Sequence, residues 1–201
     1  LQSEQLRTEI NRMSKATAPI YQIKITLKDS KPPIWRRVLI SSETTLPKLH
    51  DIIQAVMGWY DSHMHAFEIH GEHYSAPSPY DPGLLQEMGM KSTNRVKLNK
   101  LITVEGEKFR YEYDFGDDWQ HEIVLEKILP ADPKQKLPVC IKGKRACPPE
   151  DVGGVWGYDG FLEAINDPKH PEHADYIEWI GDDFDPEAFD LDEVNERLKG
   201  I

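Results

Sequence analysis

The groups in this 201-residue chain with the means to do chemistry are eight histidines, two cysteines and an excess of carboxylates. His63 and His65 stand two apart in a stretch, His63 to His70, that alternates like a strand. A period of two puts both rings on one face with Phe67 and Ile69, a workable pair of metal ligands. The plainer alternative is two rings hydrogen-bonded at a sheet surface. Asp114, Asp117, Asp118 and His121 surround one turn. Carboxylates there could hold a cation or move protons, and they are also what a tight turn demands. His121 falls on an apolar face beside Trp119 and Ile123, where each ring nitrogen needs a partner. His63, His65 and His121 are therefore the candidate ligands for a divalent metal, zinc or manganese. With Asp114 or Asp151 they would support a metal-dependent hydrolase.

Other patterns are weaker. Cys140 and Cys147 are separated by six residues, too many for a short Cys-x-x-Cys metal loop. They could still join His121 or Asp151 across the fold. Cys147 as a nucleophile would need His63 or His121 as its base. Gly153-Gly154, with Gly157 and Gly160, precedes a helix as a phosphate-cradling loop would. It lacks a Gly-Lys-Ser/Thr ending, and Glu150, Asp151 and Asp159 would repel phosphate. Asp114-Phe115-Gly116 matches a kinase metal motif in letters alone, with no Gly-rich loop before it and no His-Arg-Asp loop anywhere. The tryptophans, Trp35, Trp59, Trp119, Trp156 and Trp179, read as core or pocket walls, with a groove beside Arg36 and Arg37 as one use.

Those residues must be positioned by elements whose periods are legible. Ile20 to Lys28 alternates Tyr21, Ile23, Ile25 and Leu27 with polar residues, and Ile34 to Ile40 reads as its partner strand after Lys31-Pro32-Pro33. Thr45 is an N-cap for a helix carrying Leu46, Leu49, Ile52, Ile53, Val56 and Met57, ended by Gly58. Tyr74 to Asn94 reads as a long surface loop. Phe109 to Phe115 and Trp119 to Leu125 form a hairpin around Gly116-Asp117-Asp118. Cys140 to Gly160 reads as a loop. Helices follow at Gly160 to Asn166, Ala174 to Ile180, and Pro186 to Lys199 with Asp185 as N-cap. Strands first and helices last argue an α+β fold: a mixed or antiparallel sheet with helices 46–57 and 160–199 mainly on one face. Residues 1–18 read as a flexible or short helical arm, with Leu6, Ile10 and Met13 on one side, and residues 19–201 as a single domain.

Several stretches carry a family resemblance: Pro33-Ile34-Trp35-Arg36-Arg37, Leu49-His50-Asp51 through Gly58-Trp59, and Ser62-His63-Met64-His65-Ala66-Phe67. Further on come Tyr113-Asp114-Phe115-Gly116-Asp117-Asp118-Trp119-Gln120-His121 and Ala146-Cys147-Pro148-Pro149-Glu150-Asp151, with Gly153-Gly154 and Gly157-Tyr158. In order and spacing the chain, from Tyr21 to Leu198, resembles the Ri-plasmid ORF-three-like family, often labelled resolvase-like passengers of insertion sequences. The resemblance implies an α+β fold and an association with mobile elements. The resolvase label fails on residues. The early serines, Ser3 and Ser14, have no arginine frame for a phosphate, and Arg7, Arg12, Arg36, Arg37 and Arg95 do not make the Arg-His-Arg set a tyrosine recombinase needs.

Charge narrows the function classes. Net charge is −11, and residues 159–201 alone hold 3 Lys/Arg against 14 Asp/Glu. That argues against sequence-specific DNA binding, which needs clustered cations. The local basic cluster, Lys24, Lys28, Lys31, Arg36 and Arg37, reads as a solvated sheet face. No apolar run would span a bilayer, and no secretory pattern opens the chain. Two cysteines in a chain of this size indicate thiols and a cytoplasmic protein. The leading reading is a binding or interaction module whose acidic helical end meets a basic protein partner. Its candidate pocket is Trp35, Arg36, His63, His65, Asp114, His121, Cys147 and Asp151.

Overall fold

The computed structural model describes residues 18–201; the expected helix at 1–13 lies outside them. Eight strands form one sheet: β1 (Ile20–Leu27), β2 (Ile34–Ser41), β3 (His65–Ile69), β4 (Glu72–Ser75), β5 (Lys91–Ser92), β6 (Lys108–Tyr113), β7 (Trp119–Leu129) and β8 (Val139–Lys144). Their spatial order is β5-β4-β3-β6-β7-β1-β2-β8. Every neighbouring pair is antiparallel except β4–β5, so the sheet is mixed. The helices are α1 (Leu46–Met57), α2 (Leu84–Glu87), α3 (Gly154–Asn166), α4 (His173–Ile180) and α5 (Leu191–Arg197). No helix among the described residues is long and apolar enough to cross a membrane. The α+β class read from the periods is the class observed.

Alternation decides which way each strand faces. Ile23, Ile25 and Leu27 of β1, Ile34, Val38 and Ile40 of β2, and His121, Ile123 and Leu125 of β7 are all buried. They join Leu49, Ile52, Ile53 and Val56 of α1, and Tyr158 and Phe161 of α3, in one continuous core. Each fully buried aliphatic chain contributes about 1.5–3 kcal/mol. The alternate residues form the other face, where Arg37 binds Glu126 at 2.6 Å and Lys108 pairs with Glu122 at 3.1 Å. The basic cluster read as a solvated face is divided by this alternation: Lys24 and Arg37 lie there, and Arg36 is buried.

α1 begins and ends as its sequence requires. Thr45 accepts a hydrogen bond from the Lys48 N–H, and Gly58 takes φ +97° and donates to the Gln54 carbonyl at 2.8 Å. Other boundaries move. β8 occupies the start of the segment expected to be loop. It is an edge strand with only Cys140 buried, so it carries no hydrophobic alternation. The last helix starts at Leu191, capped by Asp190, not at Pro186. Asp185 instead accepts the Glu187 N–H at 2.9 Å, closing a turn that frees Phe189 to stack on Arg36. α3 starts at Gly154, not at Gly160, and a side chain at Gly154 would lie 2.3 Å from the Asp117 carbonyl oxygen, so this glycine is needed for close packing. Its amino end is met by a carboxylate of the chain itself, since Asp117 Oδ2 accepts the Gly153 N–H at 3.0 Å.

Candidate functional site

The sheet's inner face sets two rows of rings side by side. Cα partners His65–Tyr113–Trp119 form one row across β3, β6 and β7, and Tyr111–His121 belongs to the next. Two histidine–aspartate clusters grow from these rows.

The first is built on α1. His50 Nδ1 lies 2.8 Å from the Tyr111 hydroxyl, and its Nε2 lies 2.8 Å from Asp61 Oδ1. Gln54 Nε2 donates to the same hydroxyl at 3.0 Å, while Gln54 Oε1 accepts the Asp61 N–H at 3.0 Å. One proton arrangement satisfies both His50 nitrogens and the Tyr111 hydroxyl: Nε2–H to Asp61, Tyr111 O–H to Nδ1, Gln54 N–H to the tyrosine oxygen. His65 stacks on His50, with centroids 3.5 Å apart and planes 10° apart. Burial, and then the neighbouring His50, push the His65 pKa down to about 3. The ring is neutral in the folded protein at ordinary pH.

The second is built on loops. His63 lies just before β3, not in it. Its Nε2 is 2.9 Å from Asp151 Oδ1 and 3.6 Å from Asp114 Oδ2, and neither approach has the alignment of a hydrogen bond. Asp114 Oδ1 is engaged by the Gly116 N–H at 2.9 Å. Beneath the ring lies Tyr113, 5.9 Å away and edge-on. The Tyr113 hydroxyl donates to Glu150 Oε1 at 2.6 Å and accepts the Ser62 N–H at 2.9 Å.

His121 belongs to neither cluster. It is fully buried, and its Nδ1–H is directed at the Trp119 carbonyl, 2.9 Å away. Its Nε2 has no partner, and the edge of Trp59 packs on the ring at 5.3 Å. Burial pushes its pKa down to about 4. His63, His65 and His121 therefore do not share one metal point: His63 groups with Asp114 and Asp151, and His65 with His50 and Asp61. The reason is that the chain leaves the strand between His63 and His65, so a shared face does not give a shared focus.

A cleft of about 610 Å³ opens between the end of α1, the 146–151 loop, α4 and α5. Arg36 forms part of its floor. The guanidinium is buried, donating to the Val56, Trp35 and Lys144 carbonyls at 2.8–3.0 Å, with Phe189 stacked 4.7 Å away. Cys147 also lines the cleft. Burial pushes its thiol up to about 12, against the pull of Arg36. No histidine among the described residues hydrogen-bonds it, so the nucleophile reading has no base.

Residues 19–193 match the family described as plasmid pRiA4b ORF-3-like proteins. The chain belongs to this family. A relative from Sinorhizobium fredii, "Uncharacterized protein y4hQ", is 37% identical over 188 residues, covering 92% of this chain and 93% of its own. The crystal structure of "Protein of Unknown Function MM3350" from Methanosarcina mazei Go1 is 40% identical. It covers 88% of this chain and 98% of that one, with a TM-score of 0.79.

In this plasmid pRiA4b ORF-3-like protein the eight candidate pocket residues are distributed over several places. Arg36, Cys147 and Asp151 line the cleft. His63 and Asp114 meet Asp151 at its margin. His65 and His121 lie in the core. Trp35 is carried to the opposite face of the sheet, where Lys24 and Arg37 stack on it at 5.1 and 5.3 Å. It must point away from Arg36, because neighbours in a strand do. Among the tryptophans, Trp59 and Trp119 are core, Trp179 borders the cleft, and Trp156 is 89% exposed. Sequence reasoning passed over His50, Asp61, Tyr111 and Glu150. A polar His50 and Gln54 on the buried stripe of α1 was the available signal.

Proposed function

We propose that this protein is an interaction module whose cleft receives a basic segment of a partner protein, anchored by an apolar side chain. The observation that carries the reading is the lining itself. Tyr60 and Trp179 are 85% and 48% exposed at the cleft, beside Phe184 and Phe189. Glu150, Asp151, Asp190 and Glu193 line the same cleft, and although Glu150 bonds Tyr113, Asp190 caps α5 and Glu193 pairs with Arg197, the lining keeps an excess of four carboxylates over two cations. Its two cations are already engaged, Arg36 with carbonyls and Arg197 with Glu193 at 2.5 Å. Exposed aromatic rings are the usual anchors of recognition, and carboxylates around them select cations. The surplus of acid in residues 159–201 would steer such a partner toward this end. A basic protein of a mobile element is one partner of this chemistry.

Short Lys/Arg-rich peptides with and without one Leu or Phe, titrated into the protein and followed by its tryptophan fluorescence, test it. Peptides with the apolar anchor should bind more tightly, weaken with salt, and weaken again on Tyr60→Ser or Glu193→Gln. Binding that ignores the anchor and both substitutions, or no binding at low salt, would overturn the reading.

A further inference from the structure

We infer that His63, Asp114 and Asp151 form a binding site for one first-row divalent cation of the zinc or manganese class. One nitrogen and two carboxylate oxygens, brought from three separate loops, lie within 4.8 Å of one another. Two of the three separations, 2.9 and 3.6 Å, are already those of neighbouring ligands on one ion. Ligand atoms about 2.0–2.2 Å from a shared centre stand roughly 3.3–3.6 Å apart in a tetrahedral sphere and roughly 2.8–4.4 Å apart, cis to trans, in an octahedral one. The third, at most 4.8 Å, needs up to a few tenths of an ångström for a trans octahedral pair and up to about an ångström of loop movement for a tetrahedral one.

Electrostatics favours a cation here. Two carboxylates converge on a single imidazole nitrogen, and among the described residues no Lys or Arg pairs with either. The nearest other acids are otherwise engaged: Asp117 with the Gly153 N–H, Glu150 with Tyr113 and the Tyr60 N–H. His63 Nε2 is withdrawn from water and no aligned hydrogen bond reaches it; the same holds for His65 and His121 Nε2, but His63 alone of the three has two carboxylates against that nitrogen. A buried polar atom left in that state is costly unless something else is bound to it. The anchored Asp114 Oδ1 leaves Oδ2 facing the ring.

The ligand set selects the ion. An imidazole disfavours magnesium and calcium, and the carboxylates disfavour soft cuprous copper; zinc and manganese accept both donors. Asp151 is exposed, so the coordination sphere opens toward solvent beside the cleft. Three protein ligands leave a position for water or for a ligand's own oxygen. The site shares Asp151 with the peptide cleft, but the cation is bound by this chain alone and its test uses no peptide.

The test uses the full chain stripped with chelator, then titrated with Mn²⁺ followed by electron paramagnetic resonance and with Zn²⁺ by calorimetry. One ion per chain is expected. His63→Ala and Asp114→Asn should each weaken binding at least about tenfold, since even supporting residues around a metal are worth 10–100-fold. Asp151→Asn, at an exposed position, gives the same loss with no risk to folding. Asp61→Asn, in the other histidine cluster, should leave affinity unchanged. Binding that survives Asp151→Asn, binding abolished by Asp61→Asn, or no binding of either ion at millimolar concentration would overturn the site.

Discussion

Two histidine–aspartate clusters lie at the start of β3, and the chain passes between them within five residues, Asp61 to His65. Around His50 the chain Gln54–Tyr111–His50–Asp61 is joined by hydrogen bonds and its rings are buried, although the stacked His65 leaves its Nε2 without a partner. Around His63 the ring is partly open, the carboxylates outnumber it, and no hydrogen bond is aligned. The same residue types thus serve different ends. A closed network contributes to stability and resists substitution. An open one contributes little to folding and is available to a ligand. Composition alone does not tell them apart; the hydrogen-bonded chain through His50, which His63 lacks, does.

The comparison breaks most readily with acid. The pKa of His65 is held down to about 3 and that of His121 to about 4, both first by burial, against an ordinary value of 6.5. In the unfolded chain both rings take a proton as pH falls below about 6.5, while in the folded chain they do not. Their stability is therefore whole above that pH and is lost progressively as pH falls toward 4 and 3. Unfolding free energies from urea titrations should drop across this window with a slope of up to about 1.4 kcal/mol per pH unit for each ring. His121→Leu should make that slope shallower. An unchanged slope would mean that His121 is not buried neutral.

Next in size is Tyr111→Phe. It removes the hydroxyl that both His50 and Gln54 address, leaving two buried groups unpaired. The expected loss is about 1–3 kcal/mol in chemical denaturation. A loss under about 0.5 kcal/mol would show that the closed network rearranges easily and that the contrast with His63 is overstated.

His63→Ala in metal-free protein should cost less than about 1 kcal/mol, because the ring is partly exposed and makes no aligned bond. A larger loss would make His63 a structural member like His50. The smallest effect belongs to Asp151→Asn without metal, within about 0.5 kcal/mol of the parent. In saturating Zn²⁺ or Mn²⁺ the parent melting temperature should rise and that of the variant should not.

By itself the sequence determined the local elements and the lineage. Period two in Tyr21 to Leu27 and period 3.6 in Leu46 to Met57 predict β1 and α1 because burial of one face is set by neighbours in the chain. The Thr45 and Gly58 caps act over a single turn, and the rare motifs from Trp35 to Tyr158 point to the family later matched over residues 19–193. What failed locally failed for a reason of the same kind. β8 carries no alternation because a sheet edge buries little, and Asp185 lost the cap of α5 to Asp190 because Phe189 is needed over Arg36. Only the tertiary structure decided the partners. The Tyr111 hydroxyl reaches His50 across 61 positions, and Glu150 reaches Tyr60 across 90. His63 and His65, two apart, were sent to different aspartates, and Trp35 and Arg36, adjacent, to opposite faces. A hydrogen bond is made between atoms close in space, and closeness across tens of residues is fixed by how the whole sheet and its helices pack.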